Sequence, residues 1–271
     1  MDHIGVPLSW KVPLSDSLHA IQASFWVAII QFMQYLLFGT GFFLLPVARI
    51  VLLVRTTLLS RNSCLAASAP EPPSTISPEL DAHNPVNIAD VEIIPVPLNL
   101  NPATTFTTRE GIFSFLCILV QPKSTGSVRL NSADPRTRPV VDLGTFTAPE
   151  DVVVLRKALK LALALACQMR AEGWNVMQDY ELPSCEEDNV LDQFIRGAAQ
   201  TEFHYSSTCR MAPENGTRPG VVDDELRVHG VEGLRVADAS VFPSILATHT
   251  QAPVVAVAEK CADMVKRTHG A

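Results

Sequence analysis

Two histidines stand in sequence settings that could support proton transfer. His204 lies in the polar run FHYSSTCRM, and His249 lies in ATHTQAP, directly before an apolar helical segment. An imidazole titrates near neutral pH, so a histidine can take or return a proton in a reaction at physiological pH. Isolated histidines are also common in cores and on surfaces, and their spacing alone predicts no site.

Several other kinds of catalytic site are excluded by the sequence. The 271 residues contain no G-x-G-x-x-G, G-x-x-x-x-G-K, G-x-S-x-G or H-E-x-x-H motif, so they carry no phosphate cradle, hydrolase elbow or zinc-protease helix of these types. The six cysteines form no C-x-x-C pair, which argues against a zinc module and against a dense disulfide framework. No metal site is predicted.

Composition and charge indicate a globular protein that does not bind nucleic acid. Hydrophobic residues make up 47% of the chain and charged residues 18%, and the formal net charge is -7. No block of Lys or Arg is longer than two residues, so the basic surface of a DNA- or RNA-binding protein is not expected. The first residues do not resemble a secretory signal, and a cytoplasmic location is the default expectation.

One apolar stretch, from Ala20 to Ala48, has no charged residue and is long enough to cross a bilayer. Glutamines interrupt this stretch, Gly39-Thr40-Gly41 breaks it near its middle, and Pro46 weakens its second half as a helix. A buried or surface-lying helix is therefore favoured over a membrane span.

The remaining pattern predicts a mixed α and β fold with an antiparallel sheet and helices on one side. Elements are expected as a helix at 20–38, a proline-rich linker at 60–85, strands at 91–98 and 112–122, and short strands in SVRLNS and PVVDL. They are followed by an amphipathic helix that begins after the capping box Thr147–Glu150 and continues until Gly173, a strand at 234–238 and a final helix from about Ala252. The amphipathic helix is expected to lie across the sheet.

The string from His204 to Val265 resembles the C-terminal signature of glucose-methanol-choline (GMC) oxidoreductases. That signature runs H-x-x-G-T-C-R-M, G-V-V-D, L-R-V-H-G-V, G-L-R-V-x-D-A-S and F-P, and ends with an Asn- or His-containing turn before A-x-x-x-A-E-K. Upstream, DHIGVPL, YLLFGTG, VEIIPV and GSVRLNSADPRTRPVVD also look like the family's substrate domain. The resemblance covers nearly the whole chain and favours a soluble setting for the apolar stretch.

The resemblance implies a division of the chain and a reaction. Residues 1–203 would form the substrate-binding domain, and residues 204–271 would be the active-site segment that completes an FAD-binding domain. The implied reaction is FAD-dependent oxidation of a small-molecule alcohol, with a hydride passing to flavin N5. His204 would be the general base, and His249 would hold the substrate oxygen or share the proton.

The resemblance also implies flavin contacts. Asp238 and Ala239 match the place where the family approaches the cofactor, and Thr250 and Gln251 open a helix whose N–H groups would face the flavin ring. Ser207 replaces the usual glycine of the H-x-x-G-T pattern, which adds a side chain near the expected site.

The missing G-x-G-x-x-G turn sets the expectation for activity. Family members hold the ADP part of FAD on that turn, so we expect a partial GMC oxidoreductase that neither keeps FAD nor acts by itself. A separate N-terminal FAD-binding half is one partner that this expectation allows. A non-catalytic remnant or interaction protein of the same fold, and a lyase of the same family, are the alternative functions.

Overall fold

The computed structural model describes residues 1–44, 50–59, 88–101, 110–174 and 177–270. The chain forms two compact units, one from residues 1–4, 120–151 and 201–271 and the other from residues 5–119 and 152–200. The linker expected at 60–85 lies outside the described residues.

The described residues form eight strands and five α-helices. The strands are β1 (Ile4–Val12), β2 (Leu52–Val54), β3 (Val91–Val96), β4 (Gly111–Leu119), β5 (Ser127–Arg129), β6 (Val140–Asp142), β7 (Gln178–Glu181) and β8 (Gln200–Thr201). The α-helices are α1 (His19–Ala23), α2 (Phe25–Phe38), α3 (Pro149–Ala171), α4 (Asp188–Ala198) and α5 (Gln251–His269).

One sheet organises the larger unit. Its strand order is β2-β3-β4-β1-β7, with β8 also paired to β1, and the pairs β2–β3, β3–β4 and β1–β7 are antiparallel. All nine residues of β4, GIFSFLCIL, are buried, as expected for an apolar run in the middle of a sheet. The prediction of a mixed fold with an antiparallel sheet is confirmed.

The amphipathic helix predicted from the apolar spacing is α3. Its residues Val152, Leu155, Leu159 and Ala166 are buried at three- to seven-residue intervals. The Cys117 thiol of β4 lies 3.9 Å from the Ala158 carbonyl oxygen, so α3 lies against this strand.

The helix α4, which was not predicted, is joined to α3 by ion pairs. The Arg156 guanidinium contacts the carboxylates of Asp188 and Asp192 at 2.7 and 2.8 Å. The strand β7 was also missed, because its sequence QDYE is polar and mostly exposed and lacks the alternation that marks a half-buried strand.

The apolar segment forms two helices instead of the single helix predicted over residues 20–38. The break falls at Ser24, whose hydroxyl accepts the Val27 N–H at 3.4 Å and so caps the start of α2. Gly39, with a φ of 57°, ends α2 in the left-handed conformation that glycine adopts readily. In the described ranges, no helix combines the length and apolarity needed to cross a membrane.

The smaller unit has its own core, formed by Val222, Leu226, Val241 and Phe242. The helix α5 packs Val254, Val257 and Cys261 against this core, a spacing that places the three side chains on one helix face. The helix predicted from about Ala252 is confirmed, and Gly270 ends it with a φ of 70°.

The prediction of a strand at residues 234–238 is wrong. Only an isolated bridge between Arg227 and Arg235 forms there. The Val228 N–H donates to the Leu234 carbonyl, and the Val236 N–H donates to the Leu226 carbonyl, both at 3.0 Å. The segment thus pairs with a short loop, which is too brief a partner to make a ladder.

The boundary expected between residues 203 and 204 differs from the boundaries of the two compact units. Residues 1–4 and 120–151 group with residues 201–271. Backbone hydrogen bonds explain part of this grouping, because the Glu202 N–H donates to the His3 carbonyl at 3.1 Å and the Ser206 N–H donates to the Met1 carbonyl at 2.9 Å. The first residues of the chain therefore hold the segment that carries His204.

Candidate active site

The backbone of His204 is fixed by a buried carboxylate. Asp2 is only 6% exposed, and its Oδ1 accepts the His204 N–H at 3.0 Å. Its Oδ2 accepts the hydroxyl of Thr201. Because a carboxylate forms strong hydrogen bonds with backbone N–H groups, Asp2 holds the loop before and at His204 in one conformation.

Beyond His204 the chain follows residues 239–241. The N–H groups of Ser207, Cys209 and Met211 donate in turn to the carbonyls of Ala239, Ser240 and Val241 at 3.2, 2.9 and 2.8 Å. Ser207 has a φ of 70°, a left-handed conformation that costs a residue with a side chain about 1–2 kcal/mol. This is the position where the family pattern has glycine, which adopts such a conformation without that cost.

His249 lies beside His204. The centroids of the two rings are 4.9 Å apart and their planes meet at 83°, an edge-to-face contact. His249 is exposed and immediately precedes Thr250, the N-cap of α5. The packing of α5 on the core of its unit therefore also sets the position of His249.

A third histidine, His3, completes the cluster. This residue is 1% exposed, and its Nδ1 lies 2.9 Å from Nδ1 of His204. The ring centroids are 5.0 Å apart, with an interplanar angle of 87°. His3 was not predicted as a site residue, although the DHIGVPL segment that contains it was part of the family resemblance. In the described part of the chain, no group of His, Cys, Asp and Glu side chains is arranged to hold a metal ion.

Burial lowers the pKa of two histidines of the cluster, His3 and His204, and so favours their uncharged forms at neutral pH. The pKa of His3 is lowered to about 4, chiefly because the ring loses solvent and also because His204 is adjacent, whereas the carbonyls of Val120 and Leu246 oppose the shift. Burial also lowers the pKa of His204, and the charge of His249 adds to this effect, while Asp2 opposes it. At pH 7 His204 is therefore neutral and can accept a proton.

The four residues expected to contact a flavin lie in two segments, one at the short 3-10 helix after Ala237 and one at the start of α5. The Asp238 carboxylate accepts the Ser240 N–H at 2.8 Å and so caps the short 3-10 helix Ala239–Val241. The carbonyl of Ala239 accepts the N–H of Ser207, three residues after His204. Thr250 and Gln251 directly follow His249 and begin α5.

Comparison with known proteins identifies relatives of this chain. A family model of GMC oxidoreductases matches residues 122–258, just over half of the chain. The dehydrogenase eriK of Hericium erinaceus is 41% identical over 160 residues, which are 56% of this chain and 26% of that protein. An oxygen-dependent choline dehydrogenase of Escherichia coli is 32% identical over 173 residues, which are 64% of this chain and 30% of that protein. The matched segments thus span less than a third of these relatives.

Solved structures match over all of this chain. A formate oxidase of Aspergillus oryzae RIB40 superposes on 100% of it with a TM-score of 0.79 and 26% identity, and 47% of the formate oxidase chain is covered. A fungal aryl-alcohol oxidase, 22% identical with a TM-score of 0.71, shares the fold, and 48% of its chain is covered. This chain spans about half of either protein. The match of the family model and the agreement with these structures show that the chain belongs to the GMC oxidoreductases.

Proposed function

We propose that this chain provides the proton-transfer residues for FAD-dependent oxidation of an alcohol. His204 takes the proton of the substrate hydroxyl, and His249 holds the substrate oxygen. The observation that supports these roles is the edge-to-face contact of the two rings at 4.9 Å, with burial keeping His204 in the neutral form that a base requires. A positioned base of this kind contributes roughly 10²–10⁴-fold to a rate.

In the proposed reaction the alcohol loses a proton and a hydride, and each has an acceptor. The alcohol loses its O–H proton to His204 and its C–H hydrogen as a hydride, and the carbon–oxygen single bond becomes a carbonyl. FAD, when bound, supplies the hydride acceptor at N5. His249, whose side chain is exposed, donates a hydrogen bond to the substrate oxygen and so orients the alcohol against the base.

The residues beside the cluster suit a flavin ring. The first N–H groups of an α-helix have no partner within the helix and attract acceptor atoms. Thr250 makes no side-chain hydrogen bond to cap α5, and no acidic residue lies in its first turn. The start of α5 would therefore donate to flavin oxygen or nitrogen atoms, and Asp238 and Ala239, at the short 3-10 helix, would contact the cofactor from the other segment.

The pyrophosphate of FAD needs a different element. No G-x-G-x-x-G turn is present in these residues. We therefore assign the adenine end of the cofactor to a dinucleotide-binding part outside them. The substrate belongs to the class of small alcohols, which is the chemistry that a base and an oxygen-holding histidine serve.

The test is a single-turnover measurement of flavin reduction. The chain is joined to the dinucleotide-binding part of a GMC oxidoreductase and mixed with a panel of alcohols, and flavin absorbance is followed by stopped flow. His204→Ala is expected to slow reduction by at least about 10²-fold. His249→Asn is expected to be milder, because an amide can also hold the substrate oxygen.

His269→Ala, at the exposed end of α5, is the matched control and should leave the rate unchanged. Unchanged reduction in His204→Ala would remove the base from this proposal. Complete loss in His249→Asn with a small effect in His204→Ala would exchange the two roles.

A further inference from the structure

The contact between His3 and His204 joins two titratable rings that are 201 residues apart in the chain. Both Nδ1 atoms lie at the contact, 2.9 Å apart, which is a normal hydrogen-bond length. Two neutral imidazoles can form this bond only if one carries its hydrogen on Nδ1 and the other presents a lone pair there. The contact therefore couples the tautomer of His204 to the tautomer of His3.

The surroundings of His3 indicate which of the two Nδ1 atoms carries the hydrogen. Its Nδ1 faces His204, and its Nε2 is buried without a hydrogen-bond partner of normal geometry. The backbone groups that act on the ring are the carbonyls of Val120 and Leu246. A carbonyl oxygen only accepts hydrogen bonds, so it favours a hydrogen on Nε2 of His3 and leaves Nδ1 as the acceptor.

The opposite arrangement is disfavoured. If His3 donated from Nδ1, its buried Nε2 would carry a lone pair, and the carbonyls of Val120 and Leu246 that act on the ring have no hydrogen to offer it. A carbonyl oxygen attracts an N–H group and repels a lone pair, so these carbonyls favour the tautomer with hydrogen on Nε2. His204 therefore carries its hydrogen on Nδ1 and donates it to His3.

We propose that His3 is a positioning residue that holds His204 in the tautomer with hydrogen on Nδ1, so that Nε2 of His204 presents a lone pair to the alcohol. The inference rests on the role of His204 as base in the proposed function. Asp2 supports the same arrangement from the backbone side, because it accepts the His204 N–H at 3.0 Å. Consecutive residues at the start of the chain thus hold both the backbone and the ring of His204.

Nitrogen-15 NMR measures this tautomer directly. In the 271-residue chain labelled at histidine nitrogens, long-range proton–nitrogen spectra at pH 8 distinguish hydrogen on Nδ1 from hydrogen on Nε2. The signals of His204 are assigned by their loss in His204→Gln. We expect the wild-type chain to show His204 with its hydrogen on Nδ1.

Two variants of His3 separate the hydrogen bond from the packing. His3→Leu keeps an apolar volume but has no acceptor, so His204 is expected to change to the Nε2–H form that imidazole side chains favour in water. His3→Asn is the conservative variant, because its amide oxygen can accept at the place of Nδ1, and the Nδ1–H form should be retained. If His3→Leu does not fold, the wild-type and His3→Asn spectra still decide the matter.

The functional measurement uses the same stopped-flow assay. His3→Leu should slow flavin reduction by about tenfold or more, His3→Asn should restore most of the rate, and His3→Leu should add little in a His204→Ala background. A wild-type His204 protonated on Nε2, or a His204 tautomer that does not change in His3→Leu, would overturn the inference. Failure of the proposed function is distinguishable, since it appears as a normal rate in His204→Ala while the NMR result stands.

Discussion

Replacing His3 by glutamine is expected to weaken the pH dependence of this protein's stability between about pH 6.5 and pH 4. His3 is 1% exposed, and burial lowers the pKa of its ring to about 4. In the unfolded chain the pKa returns to the ordinary histidine value of about 6.5. Between these two values the unfolded chain binds a proton that the folded protein does not, so stability falls as the pH falls.

The size of the effect follows from the two pKa values. Each unit of difference corresponds to about 1.4 kcal/mol, so the full contribution of His3 is about 3 kcal/mol. It is present above about pH 6.5, is mostly lost by pH 4.5 and is gone below about pH 4. The pKa values of His204 and His19 are lowered too, so the wild type must be compared with the variant at each pH.

The assay is urea unfolding of the wild type and His3→Gln, followed by tryptophan fluorescence and far-UV circular dichroism at several pH values from 7.5 to 4.5. The loss of a buried contact should make His3→Gln less stable at pH 7.5, and this deficit should shrink by about 2–3 kcal/mol towards pH 4.5. His269→Gln, at the exposed end of α5, controls for the exchange itself. A difference between the wild type and His3→Gln that stays constant with pH would refute the reasoning.

Three further predictions concern other parts of the chain. Ser207→Gly should raise the free energy of unfolding by up to about 1 kcal/mol, because glycine adopts the φ of 70° without strain; a loss of stability in urea titrations would contradict this. Asp151→Ala should cost about 2–4 kcal/mol, because the buried carboxylate accepts the N–H groups of Lys123 and Ser124 at 2.8 and 2.9 Å, whereas the neighbouring exposed Glu150→Ala should change stability little. The 271 residues mixed with FAD should retain no flavin absorbance after desalting, because they lack a G-x-G-x-x-G turn, and stoichiometric retained flavin would disprove this.

Elements with a strong apolar pattern could be predicted from the sequence. The spacing of Val152, Leu155 and Leu159 predicted α3, and the strand-like composition of residues 112–122 predicted β4, because packing against a core selects apolar residues in these patterns. The final helix was predicted by Pro253 in its first turn and Gly270 after its end.

Elements that depend on a distant partner could not be predicted. The segment 234–238 has strand-like composition, yet a strand needs a neighbour of sufficient length, and its partner here is a short loop. The polar strand β7 exists because it pairs with β1, which no local pattern in its four residues reveals. The break at Ser24 divided a helix whose apolar composition runs through it.

The candidate site shows the same division. The sequence by itself determined the family resemblance and, through it, the choice of His204 and His249 as a pair. Only the tertiary structure brought His3 to within 2.9 Å of His204, buried His3 and left His204 half-buried. The pKa and the tautomer of a histidine depend on its burial and on its hydrogen-bond partner. For His204 that partner is His3, which lies 201 residues away in the chain, so local sequence could not reveal it.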